Sequence, residues 1–464
     1  MNAVPGPLVI DGDLITPTAL RTAVEHTVRD LRRELGPAGG RAVGVDATTG
    51  PAVIVTALAA ERLRVPLFLR GHSAAAQNWP PQVGAVASPN GSELAPAILA
   101  TVPRDASQIA PEIAPEIAPD TGAVFWTSGS SGAAKAVELS RSALDYQAEA
   151  TARHLGIDGD DALLLPLPLN HAYGFSVFGI WRRLGGELNV HTLLRPEAVS
   201  ADVKGRRTTS VDGVPFLYTL LARAAEADPV LRAALARLKV RGCGGAVLPG
   251  TVCAHFLDVV GAPVHDGYGL TEAGPNVALS SAAHCRTGTV GRPLAGTDVR
   301  IAPGTGEVLV RGPGLLTGYL GRPDATRDAL PGDGWLRTGD TGALDADGFL
   351  RVLGRLKDII IVLGENHAPA TIEDVLRADE QVADAVVVGV PTQKAHGDAV
   401  FAFVEAADPH RPPSEKALRT RCYQGLPPLL RPRFIRVGAL PRLPGGKADR
   451  QRLRRLAATS GGQR

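Results

Sequence analysis

The chain has 464 residues, 44% of them hydrophobic and 21% charged, which is the make-up of a folded globular protein with length for two to four domains. Forty-nine Lys and Arg against 47 Asp and Glu leave a formal charge of +2, so no broad field points to nucleic acid or an anionic membrane, and no apolar run reaches the roughly 18 residues of a span. The four cysteines (Cys243, Cys253, Cys285, Cys422) form no CxxC pair, and the opening MNAVPGPLVIDGDL has no basic stretch leading into an apolar one, so a reducing, cytoplasmic setting is expected.

Leu20, Val24, Val28, Leu31 and Leu35 recur at helical spacing before a Gly36-Pro37 stop. Residues 41–45 then read as a strand, 51–64 as a helix and 65–69 as a strand, the alternation of a parallel sheet with crossover helices. Residues 108–120 (QIAPEIAPEIAPD) carry Pro at 111, 115 and 119 and read as an extended connector. Residues 123–126 and 136–139 are strand-like, 140–156 has a Ser cap, a helical body and a Gly stop, and 163–169 is apolar again. From 290 to 353 short strands alternate with Gly and Pro turns, which suggests an appended β unit. Beyond it, a strand at 358–363, a helix at 371–379, strands at 382–390 and 399–405, a helix at 415–423 and a strand at 434–437 form a small α+β domain.

Five segments carry chemistry. FWTSGSSGAAKAVELS places Thr127, Ser128, Gly129, Ser130, Ser131, Gly132 and Lys135 at a hairpin tip, where turned backbone amides, hydroxyls and an ammonium suit phosphate oxygens; the plain alternative is a flexible Ser/Gly turn. DGYGLTEAGP follows a strand-like stretch at 262–265 and sets Thr271 and Glu272 in a Gly-flanked turn that could take Mg²⁺ or simply begin a helix. GWLRTGDTG puts Asp340 on a turn, fit for the two hydroxyls of a ribose or for ordinary turn chemistry. GRLKDIIIVLGENHA sets Arg355, Lys357 and Asp358 at a domain joint, and LPRLPGGKADR holds Lys447 on a Gly-rich loop.

In this order, across residues 127–450, the five segments resemble the adenylate-forming superfamily of acyl-CoA synthetases, aryl acid ligases, peptide-synthetase adenylation domains and luciferases. The resemblance implies an α/β protein. Its large N-terminal domain, 1–356, would combine two Rossmann-like α/β subdomains with a small β-barrel-like one, followed by a small mobile α+β C-terminal domain, 357–464, that carries the catalytic lysine. It implies that an acid and MgATP give an acyl- or aryl-adenylate and pyrophosphate, and that the acyl group then passes to the thiol of CoA or of a carrier protein's phosphopantetheine. By the same resemblance Thr127–Lys135 hold the β- and γ-phosphates, Thr271 meets the α-phosphate and Glu272 ligates Mg²⁺. Gly244, Gly245, Ala246, Tyr268 and Gly269 bind adenine, while Asp340 and Arg355 hold the ribose. Lys447 sits between the reacting anions, Lys357 is the hinge, and the loop at Gly364 faces the thiol.

LPLNHAYGFSVFG corresponds to the wall of the acid pocket, with His171, Tyr173 and Phe175 lining it and Val214, Pro215 and Phe216 on the helix that follows. No acidic residue lies in the segment to pair an α-ammonium. An unpaired ammonium there would cost several kcal/mol, roughly, so an aryl or medium acyl acid is expected over a free α-amino acid. Departures from the family's pattern are Ala134 in place of Pro, Ala136 in place of Gly, Ile361 in place of Lys, and a first motif about 40 residues earlier than usual. Two other readings stay open: adenylation of a non-carboxylate oxyanion such as nitrite for nitrogen–nitrogen bond formation, and a non-catalytic nucleotide-binding module. A monomer or homodimer acting on a small acid, with no nucleic acid or membrane partner, completes the expectation.

Overall fold

The computed structural model describes residues 5–36, 42–46, 49–70, 79–80, 82–89, 94–100, 116–127, 134–363, 365–392, 397–442 and 448–461. The chain divides into two compact units: Met1–Leu248, His255–Val299 and Val310–Arg337 in one, Pro249–Ala254, Arg300–Leu309 and Thr338–Arg464 in the other. The joint expected at 356/357 therefore falls inside the second unit.

The first unit holds two predominantly parallel sheets. One has seven strands, in the order Gly318–Tyr319, Lys135–Ser140, Thr121–Thr127, Leu67–Leu69, Ala42–Val45, Val83–Ser88, Ala97–Ala100. Its central members run parallel and its outer ones antiparallel. The other has nine strands. Six parallel ones, His265–Gly269, Val240–Cys243, Ser210–Gly213, Ala162–Leu165, Glu187–Val190 and Leu8–Ile10, are flanked by antiparallel edges. Val43, Val45, Leu69, Val124, Leu163, Leu164 and Val211 are all buried, as strands covered on both faces require.

The helix expected from Leu20 starts earlier, at Pro17–Leu35, because Thr16 caps it by accepting from the Ala19 amide and Pro17 fits a first helical turn. Arg141–Leu155 runs from the Ser140 cap to Gly156, which takes the left-handed conformation that ends it. The strand expected at 65–69 begins only at Leu67, since Pro66 has no N–H to give a ladder and the Val65 amide closes the preceding helix on Ala60. The apolar run 163–169 leaves its sheet after Leu165, where Pro166 and Pro168 intervene, and passes into the helix Ala172–Leu184, which alternation arguments miss because both of its faces are apolar. Most of the Pro-rich connector lies outside the described residues, and its last residues form a turn at 119–120.

Two of the short strands expected in one β unit join the large sheets instead, Arg292–Pro293 the nine-stranded and Gly318–Tyr319 the seven-stranded. In the second unit, the register from Asp340↔Arg355 to Leu344↔Leu350 belongs to a four-stranded sheet. Beyond it, Val382–Thr392, Gly397–Ala406 and Phe434–Val437 make a three-stranded sheet. Its two faces carry separate cores, one around Ile372, Leu376, Val387, Val404 and Leu418 and the other around Val386, Phe401, Phe403, Leu453 and Ala457. Leu453 and Ala457 belong to a helix, Arg450–Gly461, that the sequence reading did not anticipate.

Candidate functional site

In the first unit the hairpin around the Ser/Gly loop is closed by Thr127↔Lys135, with the Thr127 hydroxyl donating to the Lys135 carbonyl at 3.4 Å. Ser128, Gly129, Ser130, Ser131 and Gly132 lie outside the described residues. The Lys135 ammonium sits 4.5 Å above the centroid of the Tyr319 ring, and the Tyr319 hydroxyl donates to Glu272 Oε1 at 2.9 Å. The structure thus brings the hairpin lysine and the turn carboxylate onto one tyrosine. Tyr319 comes from the edge strand paired with Val137, in a Gly-rich run (GPGLLTGYLG) that holds no charged residue to draw notice in the sequence.

Thr271 and Glu272 start a 3₁₀ turn, Thr271–Ala273, rather than a full helix. The strand before it is His265–Gly269 and not 262–265, so Tyr268 and Gly269 belong to the sheet. The cause is pairing: His265 and Asp266 lie in register with Gly242 and Cys243. A β-bulge falls at Tyr268/Gly269, and a Cβ on Gly269 would meet the Pro275 carbonyl at 1.6 Å, so only glycine fits there. Gln147, 2% exposed on the helix Arg141–Leu155, clamps the far side of the turn. Its amide nitrogen donates to Ala273 O at 2.8 Å and Asn276 O at 3.1 Å, and its oxygen accepts from the Asn276 amide at 3.3 Å. The Glu272 carbonyl accepts from Leu316 N at 2.9 Å. The glutamate is therefore fixed through its backbone as well as its side chain.

Just upstream, burial pushes the Asp266 carboxyl up to about 7, opposed in part by the Gly267 amide at 2.9 Å. Burial and the Arg241 charge bring His265 down to about 4.

The segment expected to wall the acid pocket is also in the first unit. His171 is exposed at the start of the helix Ala172–Leu184. Tyr173 lies beside Gly244, whose Cβ would stand 3.1 Å from its ring, and Val214 lies beside Gly245 at 3.8 Å on the same measure. Tyr173, Val214 and the Gly244–Gly245 turn are thus neighbours. Pro215 opens the helix Pro215–Ala227, and Phe216 is 62% exposed. Phe175 is buried in an aromatic row, 5.4 Å from Phe125 and 5.2 Å from Phe178 between centroids. Asp212, which lies outside the wall segment and drew no notice in the sequence, accepts from the Tyr173 hydroxyl at 3.0 Å.

In the second unit Asp340 stands inside the strand Leu336–Leu344 and not on a turn, because it pairs directly with Arg355 of Leu350–Arg355. Arg355 Nε lies 2.8 Å from Asp340 Oδ1, and its Nη1 donates to Thr338 O at 3.3 Å. Asp340 is 6% exposed, so this cation offsets part of what desolvating the carboxylate costs. Lys357 is exposed in the 3₁₀ turn Leu356–Asp358, and the strand expected from 358 begins after it, at Ile360–Val362. Arg454 Nη2 donates to the Lys357 carbonyl at 3.2 Å and to Asp358 Oδ1 at 2.7 Å, tying the helix Arg450–Gly461 to that turn. Gly364 and Lys447 lie outside the described residues, and the segment holding Lys447 is bounded by a bridge between Arg442 and Ala448.

No cluster of three or more His, Cys, Asp or Glu fit to hold a metal occurs among the described residues. A cation here would need a single carboxylate plus water and phosphate oxygens, the donor set Mg²⁺ accepts and one that Glu272 can offer. No helix among them is long and apolar enough to cross a membrane.

Residues 35–320 match the family described as AMP-binding enzyme, and 371–447 its C-terminal domain. Feruloyl-CoA synthase from an Amycolatopsis species is 36% identical over 333 residues, 68% of this chain and 66% of the relative, so the chain spans just under two thirds of that relative's length. The solved structure of the amide bond synthetase McbA from Marinactinospora thermotolerans superposes with a TM-score of 0.83 at 28% identity over 98% of both chains. O-succinylbenzoate coenzyme A synthetase (MenE) from Bacillus subtilis, in complex with AMP, gives 0.81 at 25% identity over 97% of this chain and 96% of its own.

Proposed function

Because the chain belongs to the AMP-binding enzyme family, we propose that it is an AMP-forming acid ligase. It joins a carboxylic acid to the α-phosphate of ATP, releasing pyrophosphate, and then passes the acyl group to the thiol of CoA. The observation that carries this reading is the Lys135–Tyr319–Glu272 constellation, a cation and a carboxylate held on one ring beside the Ser/Gly hairpin.

In this reading Thr127–Lys135, including Ser128, Gly129, Ser130, Ser131 and Gly132, hold the β- and γ-phosphates, and Thr271 contacts the α-phosphate. Glu272 holds Mg²⁺, whose charge neutralises phosphate oxygens when it is bound. Gly244, Gly245, Ala246, Tyr268 and Gly269 bind adenine, and Asp340 and Arg355 bind the ribose. His171, Tyr173, Phe175, Val214, Pro215 and Phe216 form the acid pocket. The attacking carboxylate is already ionised at neutral pH, so no general base is needed. The barrier is the approach of two anions, which Lys447 offsets by standing between them, and catalysis is by positioning and charge.

A C-terminal domain, 357–464, turns about Lys357 between the two steps, withdrawing Lys447 and presenting the loop at Gly364 to the thiol. A carrier protein's phosphopantetheine is the alternative thiol. An amine acceptor is a second reading, favoured by the likeness to the amide bond synthetase. Pyrophosphate release across a panel of carboxylic acids, followed by product analysis with CoA, a phosphopantetheinylated carrier and simple amines, tests both steps. A chain that never converts ATP to AMP with any acid would sink the ligase reading.

A further inference from the structure

In the second unit the strands Ile360–Val362 and Glu365–His367 form a two-stranded sheet of their own and flank Gly364, which the proposed function sets toward the thiol. They pair as Ile360↔His367, Ile361↔Asn366 and Val362↔Glu365. Ile360 and Val362 are buried in the core around Ile372, Val387 and Val404, whereas Ile361 and Leu363 are exposed. Apolar burial of this kind chooses which face turns inward, but it has no direction and so does not fix how far along the neighbouring sheet the hairpin lies. Leu363 nevertheless holds a left-handed backbone, φ +51°, which a residue other than glycine rarely adopts unless its surroundings impose it.

The directional contact comes from the strand Gly397–Ala406. Asp398 Oδ2 accepts from the Ile361 amide at 2.9 Å. Gly397, at φ +153°, lets the same backbone come close: a Cβ on it would meet the Ile361 carbonyl at 2.4 Å and the Leu363 nitrogen at 3.4 Å. Gly389, on the adjoining strand Val382–Thr392, clears space for the carboxylate, since a Cβ there would fall 2.6 Å from Asp398 Oδ2. A carboxylate accepting from a main-chain N–H is a strong and directional tie, and this one lies where water can replace it. Without it the hairpin keeps its apolar anchor in Ile360 and Val362 but loses what sets its position along the sheet.

We propose that Asp398 is a positioning residue for the thiol step: it fixes the hairpin against the three-stranded sheet, and through it the loop at Gly364, and plays no part in forming the adenylate. This rests on the acid-ligase reading and deepens its second step.

The test separates the half-reactions in the wild type, Asp398→Ala, Asp398→Asn and Gly389→Ala. Pyrophosphate release is followed in a single turnover, and acyl transfer is then started by adding CoA to the adenylate formed on the enzyme; hydrogen exchange of the peptide spanning 359–363 is measured in the same four proteins without substrates. Asp398→Ala should slow acyl transfer by about 10-fold or more, leave pyrophosphate release within about twofold, and speed exchange of the peptide. Gly389→Ala, which displaces the carboxylate without removing it, should do the same. Asp398→Asn, whose amide oxygen still accepts from Ile361, should behave as the wild type. Equal loss of both half-reactions, transfer unchanged in Asp398→Ala, or exchange that does not respond to it overturns the proposal. If the wild type forms no adenylate with any acid, the ligase reading falls by itself, and the exchange measurement still decides whether Asp398 holds the hairpin.

Discussion

The hydroxyl of Tyr319 meets Glu272 Oε1 at 2.9 Å while its ring carries the Lys135 ammonium at 4.5 Å, so one side chain organises both signs of charge. Tyr319→Phe separates the two functions, because the ring and its cation–π contact remain and only the hydrogen bond goes. A bond to a charged acceptor contributes about 1.5–3 kcal/mol, so the unfolding free energy should fall by about that much, and the Mg²⁺ concentration for half-maximal pyrophosphate release should rise by up to roughly 10- to 100-fold as Glu272 loses its anchor. An unchanged Mg²⁺ requirement would remove Tyr319 from the site.

Gln147→Leu attacks the same turn from below. It strips two buried carbonyls and one amide of their partner, at about 1–3 kcal/mol each when left unsatisfied, so the unfolding free energy in urea should fall by roughly 3 kcal/mol or more. ATP-dependent activity should drop further than stability explains, since Ala273 and Asn276 frame Glu272. Activity that survives in the folded fraction would show that the turn holds itself.

His265 and Asp266 set opposed pH dependences. Asp266, raised from 3.8 to about 7, contributes stability that is whole below pH 3.8 and is lost as pH rises through 7. His265, lowered from 6.5 to about 4, favours the fold above pH 6.5 and loses that contribution as pH falls toward 4. Between these limits the slopes nearly cancel. Asp266→Asn should therefore stabilise the protein more at pH 8 than at pH 5, by on the order of 2 kcal/mol, and leave a chain more sensitive to acid. Denaturant titrations at the two pH values check it; an equal gain at both would mean that Asp266 does not titrate between them.

For the lysines, half-reactions should be assayed apart. Lys357→Pro should leave pyrophosphate release largely intact and suppress thioester formation. Lys447→Ala should depress adenylate formation by about 100-fold or more while ATP affinity falls far less. Equal loss of both steps in Lys357→Pro would count against a hinge.

Where the sequence spoke clearly, it did so through local chemistry. The Ser140 cap and Gly156 stop bracket a helix by their own backbone preferences, and the strand-like stretches on either side of the Ser/Gly loop are enough to place Lys135 at a hairpin. The Asp340–Arg355 pair lay within reach too, since both residues were singled out, but only register shows that they face each other. What stayed hidden depends on long-range packing. Tyr319, Gln147 and Asp212 are unremarkable in their own segments and acquire meaning only when distant strands bring Glu272, Ala273 and Tyr173 to them. Phe175 shows the same dependence on packing: singled out as a pocket residue by its segment, it also joins a buried aromatic row with Phe178 and Trp181 that only the fold reveals.

Gly242 leaves a lasting mark on how this molecule could be altered. Because the space above its Cα is filled by Asp212 Oδ1, the first methyl group added at 242 collides with the carboxylate, while the same methyl introduced after Asp212 has been shortened to alanine finds a vacancy. Any larger residue at 242 would thus have a compulsory order of steps, 212 before 242, and a library that varies codon 242 alone would discard the tolerated double variant.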